Sequence, residues 1–250
     1  RLDQLLLSSA IIGMSGSFIS LLLSKWMAKR AMGVYIIEQP SNQTEAWLLD
    51  TIRQQARSLG IGMPEVGIFN TPEPNAFATG ASRDSSLVAV STGLLERMSP
   101  DEIEAVLGHE MSHVANGDMV TMGLLQGVVN TFVYFFASLA GYLVDRMLSR
   151  SGDDERSVGY GPGYYITQMV AQILLSILAS MVVMAFSRWR EFRADAGGAK
   201  LAGRTKMIQA LKALQRQHDE VDLPGELAAF GISGQSVGGF ARLFLSHPPL

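Results

Sequence analysis

Three long stretches of the chain carry almost no charge, and the segments between them alternate at helical or strand spacing. Gln4 to Ser24 is the first, an uncharged run followed at once by Lys25, Trp26, Lys29 and Arg30. It is long enough to cross a bilayer. Basic residues and a tryptophan at its C-terminal end match an anchor at the cytoplasmic interface. A cleaved signal peptide would carry its charges before the apolar run and end in small residues, which is the reverse of this order. Met119 to Val144 and Ser157 to Ser187 are the second and third runs, separated by the polar stretch Asp145 to Arg156. They predict a transmembrane hairpin with each arm able to span. The competing reading is a pair of long buried helices in a soluble protein, which Asn130, Gln168 and Gln172 favour because bilayer interiors tolerate such side chains poorly.

The remaining segments read as a water-facing domain. Asn42 to Gly60 has apolar residues on one face (Leu48, Ile52, Ala56, Leu59), a cap-like pair in Asn42 and Glu45, and a terminating glycine, so it predicts an amphipathic helix. Asn42-Gln43-Thr44 fits a glycosylation acceptor, but such triplets are common by chance. Val66 to Phe69, Asn75 to Thr79 and Ser86 to Ser91 are short strand-like runs divided by turn residues, and they predict a small sheet. Ser99 to Asp118 predicts a capped helix with Ser99 as N-cap, Pro100 at the first position and Glu102 completing a capping box. Ile103, Val106, Leu107, Met111 and Val114 form its core stripe, and Asn116-Gly117-Asp118 marks a bend. The fold class is therefore mainly α with a small β-sheet. Residues 1–30 form a truncated transmembrane helix, 31–118 the first part of a water-facing domain, 119–187 the hairpin with its loop at 145–163, and 188–250 the second part. The chain opens on Arg1 and stops after His247-Pro248-Pro249, so both ends read as trimmed.

Composition narrows the function. A net charge of −3 leaves no basic footprint for nucleic acid. Gly159 to Gly163 follows no strand and so is not a nucleotide-binding loop. With no cysteine, disulfides, thiol catalysis and cysteine-held metal are excluded. Lys25, Lys29, Arg30, Arg188, Arg190, Arg193 and Lys200 outnumber Arg146, Arg150 and Arg156 of the loop, which puts the water-facing domain in the cytoplasm.

The chemistry is concentrated in His109-Glu110-x-x-His113. Residues four apart share a helix face, so the two imidazoles can close on one metal ion, while Glu110 lies about 100° round and can reach a bound water as a general base. A chance match in a structural helix is the bland alternative. Catalytic zinc usually has three protein ligands and one open position. Glu191 is the candidate third ligand and Asp195, four residues on, can accept the N–H of a liganding histidine. These two could instead merely pair with Arg190 and Arg193, but a hairpin that runs out and back returns Glu191 beside His113. Of the other histidines, His218 falls in a polar stretch, and His247 either approaches the site to stabilise an oxyanion or is an ordinary residue near a tail.

H109-E-x-x-H113, a hydrophobic hairpin and E191-F-R-A-D195, with N75-A-F-A-T-G80 and L87-V-A-V-S-T-G-L-L95 upstream and S246-H-P-P249 downstream, closely resemble the HtpX family of bacterial membrane proteases. They are more distantly similar to the CAAX prenyl proteases. The likeness implies a membrane-anchored, gluzincin-like zinc metalloprotease of the bacterial inner membrane with its site facing the cytoplasm. Its substrates would be misfolded or misassembled membrane proteins or unfolded polypeptides; its cofactor would be Zn2+, with no nucleic acid or nucleotide partner. The resemblance makes His109, His113 and Glu191 the ligands, Glu110 the base, Asp195 the second carboxylate, and gives His247 a part near the metal. Substrate binding as an added strand is expected along the edge formed by Asn75, Ala76, Phe77 and Ala78. An intramembrane protease is disfavoured by Glu102, Glu104 and Asp118 around the motif. The alternative is a non-catalytic membrane scaffold with a structural metal site, which would fill four positions with protein ligands where only three are named here.

Overall fold

The structure is a computed structural model and describes residues 2–149 and 160–220. Its elements in order are α1 (Leu2–Ala31), β1 (Tyr35–Ile36), α2 (Gln43–Leu59), β2 (Glu65–Phe69), β3 (Ala76–Ser82), β4 (Ser85–Ser91), α3 (Thr92–Arg97), α4 (Pro100–Asn116), α5 (Asp118–Ser149), α6 (Pro162–Ala202) and α7 (Arg204–Glu220). The chain divides into two compact units, one of Arg1–Ser20 with Met122–Ala185 and the other of Leu21–Thr121 with Phe186–Leu250.

The first unit is helical and apolar outside as well as in. Leu6, Leu7, Ile11 and Ile12 of α1, Phe132 and Phe136 of α5, and Ile173, Leu174 and Leu178 of α6 are exposed. That is the surface of a protein whose solvent is lipid, and it removes the reading of a hairpin buried in a soluble core. Three helices are long and apolar enough to cross a membrane: Asp3–Ala31, Asp118–Leu148 and Pro162–Ala202. Among the polar residues in the arms, Gln126 donates to Asn130 at 2.8 Å and Gln168 to Ser138 at 3.0 Å. The hairpin loop falls largely on residues outside those described, but Tyr160 and Tyr164 stack at its end with centroids 4.0 Å apart.

The second unit is built on a four-stranded sheet of order β1-β2-β4-β3. β2 and β4 are parallel, and the outer pairs are antiparallel. Leu87, Val88, Ala89 and Val90 of β4 are fully buried, as expected of a strand covered on both faces. α2 packs Leu48, Ile52 and Ala56 against this core, with Asn42 accepting from Glu45 N–H as its N-cap and Gly60 closing it in the left-handed region. The predicted strands are all present, each one or two residues longer than the alternation suggested. β1, α3 and α7 were not anticipated. α7 buries Met207, Ala210 and Ala213 at a spacing of three, beneath a polar face.

Candidate metal centre

α4 begins as the sequence requires. Ser99 Oγ accepts from Glu102 N–H, and Glu102 Oε2 accepts in return from Ser99 N–H at 2.8 Å, so two donors that the helix cannot use internally are satisfied. The helix ends at Gly117, whose φ of 69° is open to glycine at little cost and lets α5 start on the next residue.

Between these ends the helix presents its two histidines side by side. His109 Nε2 and His113 Nε2 are 3.1 Å apart, and Glu191 Oε2 of α6 lies 3.3 Å from the first and 3.5 Å from the second. One ligand atom from each residue fits within a mutual distance of 4.8 Å. Glu191 is 5% exposed and His113 8%, so the cluster is shielded from water. Arg190 donates to Glu191 Oε1 at 2.9 Å, which holds that oxygen back and turns the other toward the imidazoles. The Arg190–Glu191 pairing foreseen as a bland surface bridge therefore exists, but alongside the juxtaposition with the histidines.

The far sides of both rings are fixed. His109 Nδ1 lies 2.8 Å from Asp195 Oδ1, the partner expected from the i, i+4 spacing on α6. His113 Nδ1 lies 2.7 Å from Asp118 Oδ2. Asp118 was missed, having been read only as part of a bend and as a flanking charge. The signal was an acidic residue directly after the glycine that ends the motif helix. With each Nδ1–H donating to a carboxylate, both Nε2 atoms carry lone pairs facing one another and Glu191. Three such donor atoms so close together repel unless they share a cation, so the residues fit a metal ion.

Without a metal, the same carboxylates favour a proton in the place of the cation. Burial favours the neutral ring of His109, but the hydrogen bonds to Asp195 and Glu191 and the charge of Glu110 outweigh it and push the group up to about 10. His113 is raised too: burial opposes it, and the hydrogen bonds to Asp118 and Glu191 overcome the burial. Burial raises the Glu110 carboxyl, the two histidines pull it down, Glu191 pushes it up, and the Ala78 N–H lowers it by donating to it. A pocket in which carboxylates force positive charge onto buried imidazoles is a cation site.

The hydrogen bond from Ala78 to Glu110 also orders the sheet edge. β3 is an outer strand. Asn75 lies just before it and spends both backbone groups on Ser91, its C=O accepting at 2.8 Å and its N–H donating to Oγ at 2.9 Å. By the two-residue alternation, Phe77 likewise faces β4, and its ring packs 5.4 Å from Phe69. Ala76 and Ala78 face outward, with the Ala78 N–H already taken by Glu110. Within the expected substrate edge, the outward backbone groups are those of Ala76 and the Ala78 carbonyl, while Asn75 and Phe77 turn theirs to β4. His247 and its Ser-His-Pro-Pro motif lie outside the described residues, as does the side chain of His218.

Residues 42–250 match the model of peptidase family M48. The chain is 60% identical over 250 residues to Protease HtpX of Thioalkalivibrio sulfidiphilus, covering 100% of this chain and 83% of that protein. It is 56% identical over 248 residues to Protease HtpX homolog of Nitrosomonas eutropha, covering 99% and 83%. It is 58% identical over 250 residues to Protease HtpX of Xanthomonas campestris pv. campestris, covering 100% and 84%. Its fold is similar to that in the crystal structure of S. mikatae Ste24p, with a TM-score of 0.69 at 19% identity, covering 97% of this chain and 56% of that one. With His109, Glu110, His113 and Glu191 gathered as described and the family model spanning most of the sequence, the chain belongs to peptidase family M48.

Proposed function

We propose that this chain is a membrane-integral zinc endopeptidase that hydrolyses peptide bonds in misfolded or misassembled membrane proteins. The observation that carries this reading is the convergence of His109, His113 and Glu191 on one point, with Glu110 adjacent on the same helix. Two imidazoles and one carboxylate suit zinc and leave a fourth position open. His109, His113 and Glu191 would hold the zinc ion, which would supply Lewis acidity for peptide hydrolysis.

The protein's own residues do the rest. Glu110, its carboxyl tethered by the Ala78 N–H and lifted by burial, takes the proton of the attacking water and returns it to the leaving amine. Asp195 keeps His109 in the tautomer whose Nε2 is free to ligate. The outward-facing backbone of Ala76 and the Ala78 carbonyl pair with the substrate as an added strand, which recognises main chain and suits loose sequence preference. The excess of basic residues beside the membrane segments favours a bacterial inner-membrane protein with its site toward the cytoplasm.

Glu110→Gln decides between this and a metal-stapled scaffold. Incubated with casein and zinc in detergent, the unsubstituted chain should cleave, and the variant should bind zinc equally but cleave about 10²-fold or more slowly. Undiminished cleavage by the variant would remove Glu110 from the chemistry, and a chain that binds zinc but never cleaves would favour the scaffold.

A further inference from the structure

Asp118 stands outside the motif that identifies the centre, and the fold delivers it there by a device of its own. In an uninterrupted helix a residue five places after His113 would lie about 140° away round the axis and could not reach the ring. The left-handed turn at Gly117 breaks α4, so Asp118 opens α5 and comes back over His113 with Oδ2 at 2.7 Å from Nδ1. Its side chain is buried, 3% of the residue being exposed, so water is a poor substitute as the ring's acceptor.

We propose that Asp118 is the positioning residue for His113. It fixes the Nδ1–H tautomer and the ring plane, so that Nε2 turns toward His109 Nε2 and Glu191. The histidines are then held from two helices, His109 by Asp195 of α6 and His113 by Asp118 of α5. A carboxylate behind the ring also makes Nε2 a stronger donor. This assignment rests on the metal centre proposed above.

The test uses the full chain in detergent micelles with Asp118→Ala and the isosteric Asp118→Asn. Zinc affinity is read by competition with a chromophoric chelator, and ligand geometry from the visible spectrum of the cobalt-substituted protein. Zinc affinity should fall about 10- to 100-fold in Asp118→Ala and by less in Asp118→Asn, with an altered cobalt spectrum in both. Should Asp118→Ala fail to fold, Asp118→Asn decides alone. A lowered melting temperature with zinc affinity within about twofold and an unchanged spectrum would make Asp118 a packing residue and overturn the proposal. An unsubstituted chain that binds no zinc would overturn the metal centre itself, and is a separate reading in the same titration.

Discussion

Gly198→Ala tests whether a close backbone contact is what holds the metal centre together. α4 and α6 meet at Gly108 and Gly198, where a Cβ on Gly198 would lie 2.9 Å from the backbone nitrogen of His109 and 3.2 Å from the carbonyl carbon of Gly108, and would also run into Met207 Cε. The methionine can swing aside, but the two backbones cannot. Ordinary contact begins at 3.4 Å, so the helices must part by 3.4 − 2.9, about 0.5 Å. Metal–ligand distances tolerate about 0.2 Å, and the displaced segment carries Glu191 and Asp195. Overpacking of this kind costs about 1–3 kcal/mol, partly offset by the 0.5–1 kcal/mol or so gained when alanine replaces glycine within a helix. The net loss of stability is therefore up to about 2.5 kcal/mol. Zinc affinity should fall about tenfold or more, and kcat/KM by between about 10- and 100-fold. Chelator competition, peptide hydrolysis and thermal melting measure the three effects. Gly16→Ala is the control, since a Cβ there meets nothing within 4 Å. If Gly198→Ala kept zinc affinity and kcat/KM within about twofold, the contact would not be what sets the distance from Glu191 to the histidines.

Two further perturbations address the sheet and its tether. Ala76→Pro removes an outward-facing N–H without touching the β4 ladder, so cleavage should fall about tenfold while zinc affinity stays unchanged; full cleavage would end the added-strand reading. Ala78→Pro is a poor test of the same idea, because it also strips Glu110 of its donor. Glu65 is pulled below its ordinary value: burial opposes the shift, but the hydrogen bonds and charges of Lys25 and Lys29 prevail. Lys25 Nζ lies 2.6 Å from Glu65 Oε1, and Lys29 pairs with the other oxygen. A carboxyl lowered on folding contributes stability above its unfolded value near 4.5 and loses it as the pH falls through the lower folded value. Glu65→Gln should thus melt below the unsubstituted chain at neutral pH, with the gap closing in acid; a gap constant with pH would refute the ion-pair account.

The sequence alone determined what depends on neighbours along the chain. Periodicity, the capping box at Ser99 and the glycine at position 117 set α4 and its ends, and helical geometry then placed His109 and His113 on one face. Uncharged length marked the candidate membrane segments, and the exposure of their apolar side chains then separated them from helices buried in a soluble core. Glu191 and Asp195 were legible as a pair by the same four-residue rule, although nothing local said which histidine either would meet. β1 and α3 are too short to announce themselves, and α7 hides a three-residue apolar face among charges.

Tertiary structure decided what depends on approach between distant segments. The glycine contact of Gly108 with Gly198 sets how near α6 comes to α4. The left-handed residue at Gly117 turns Asp118 back onto His113, and the ladder register decides that Ala78, not Asn75, turns its N–H to Glu110. A helix or a cap is fixed by interactions a few residues apart, so its pattern is written locally. The distance between two helices is fixed by which atoms are missing at their crossing, and a glycine in the sequence does not name its partner.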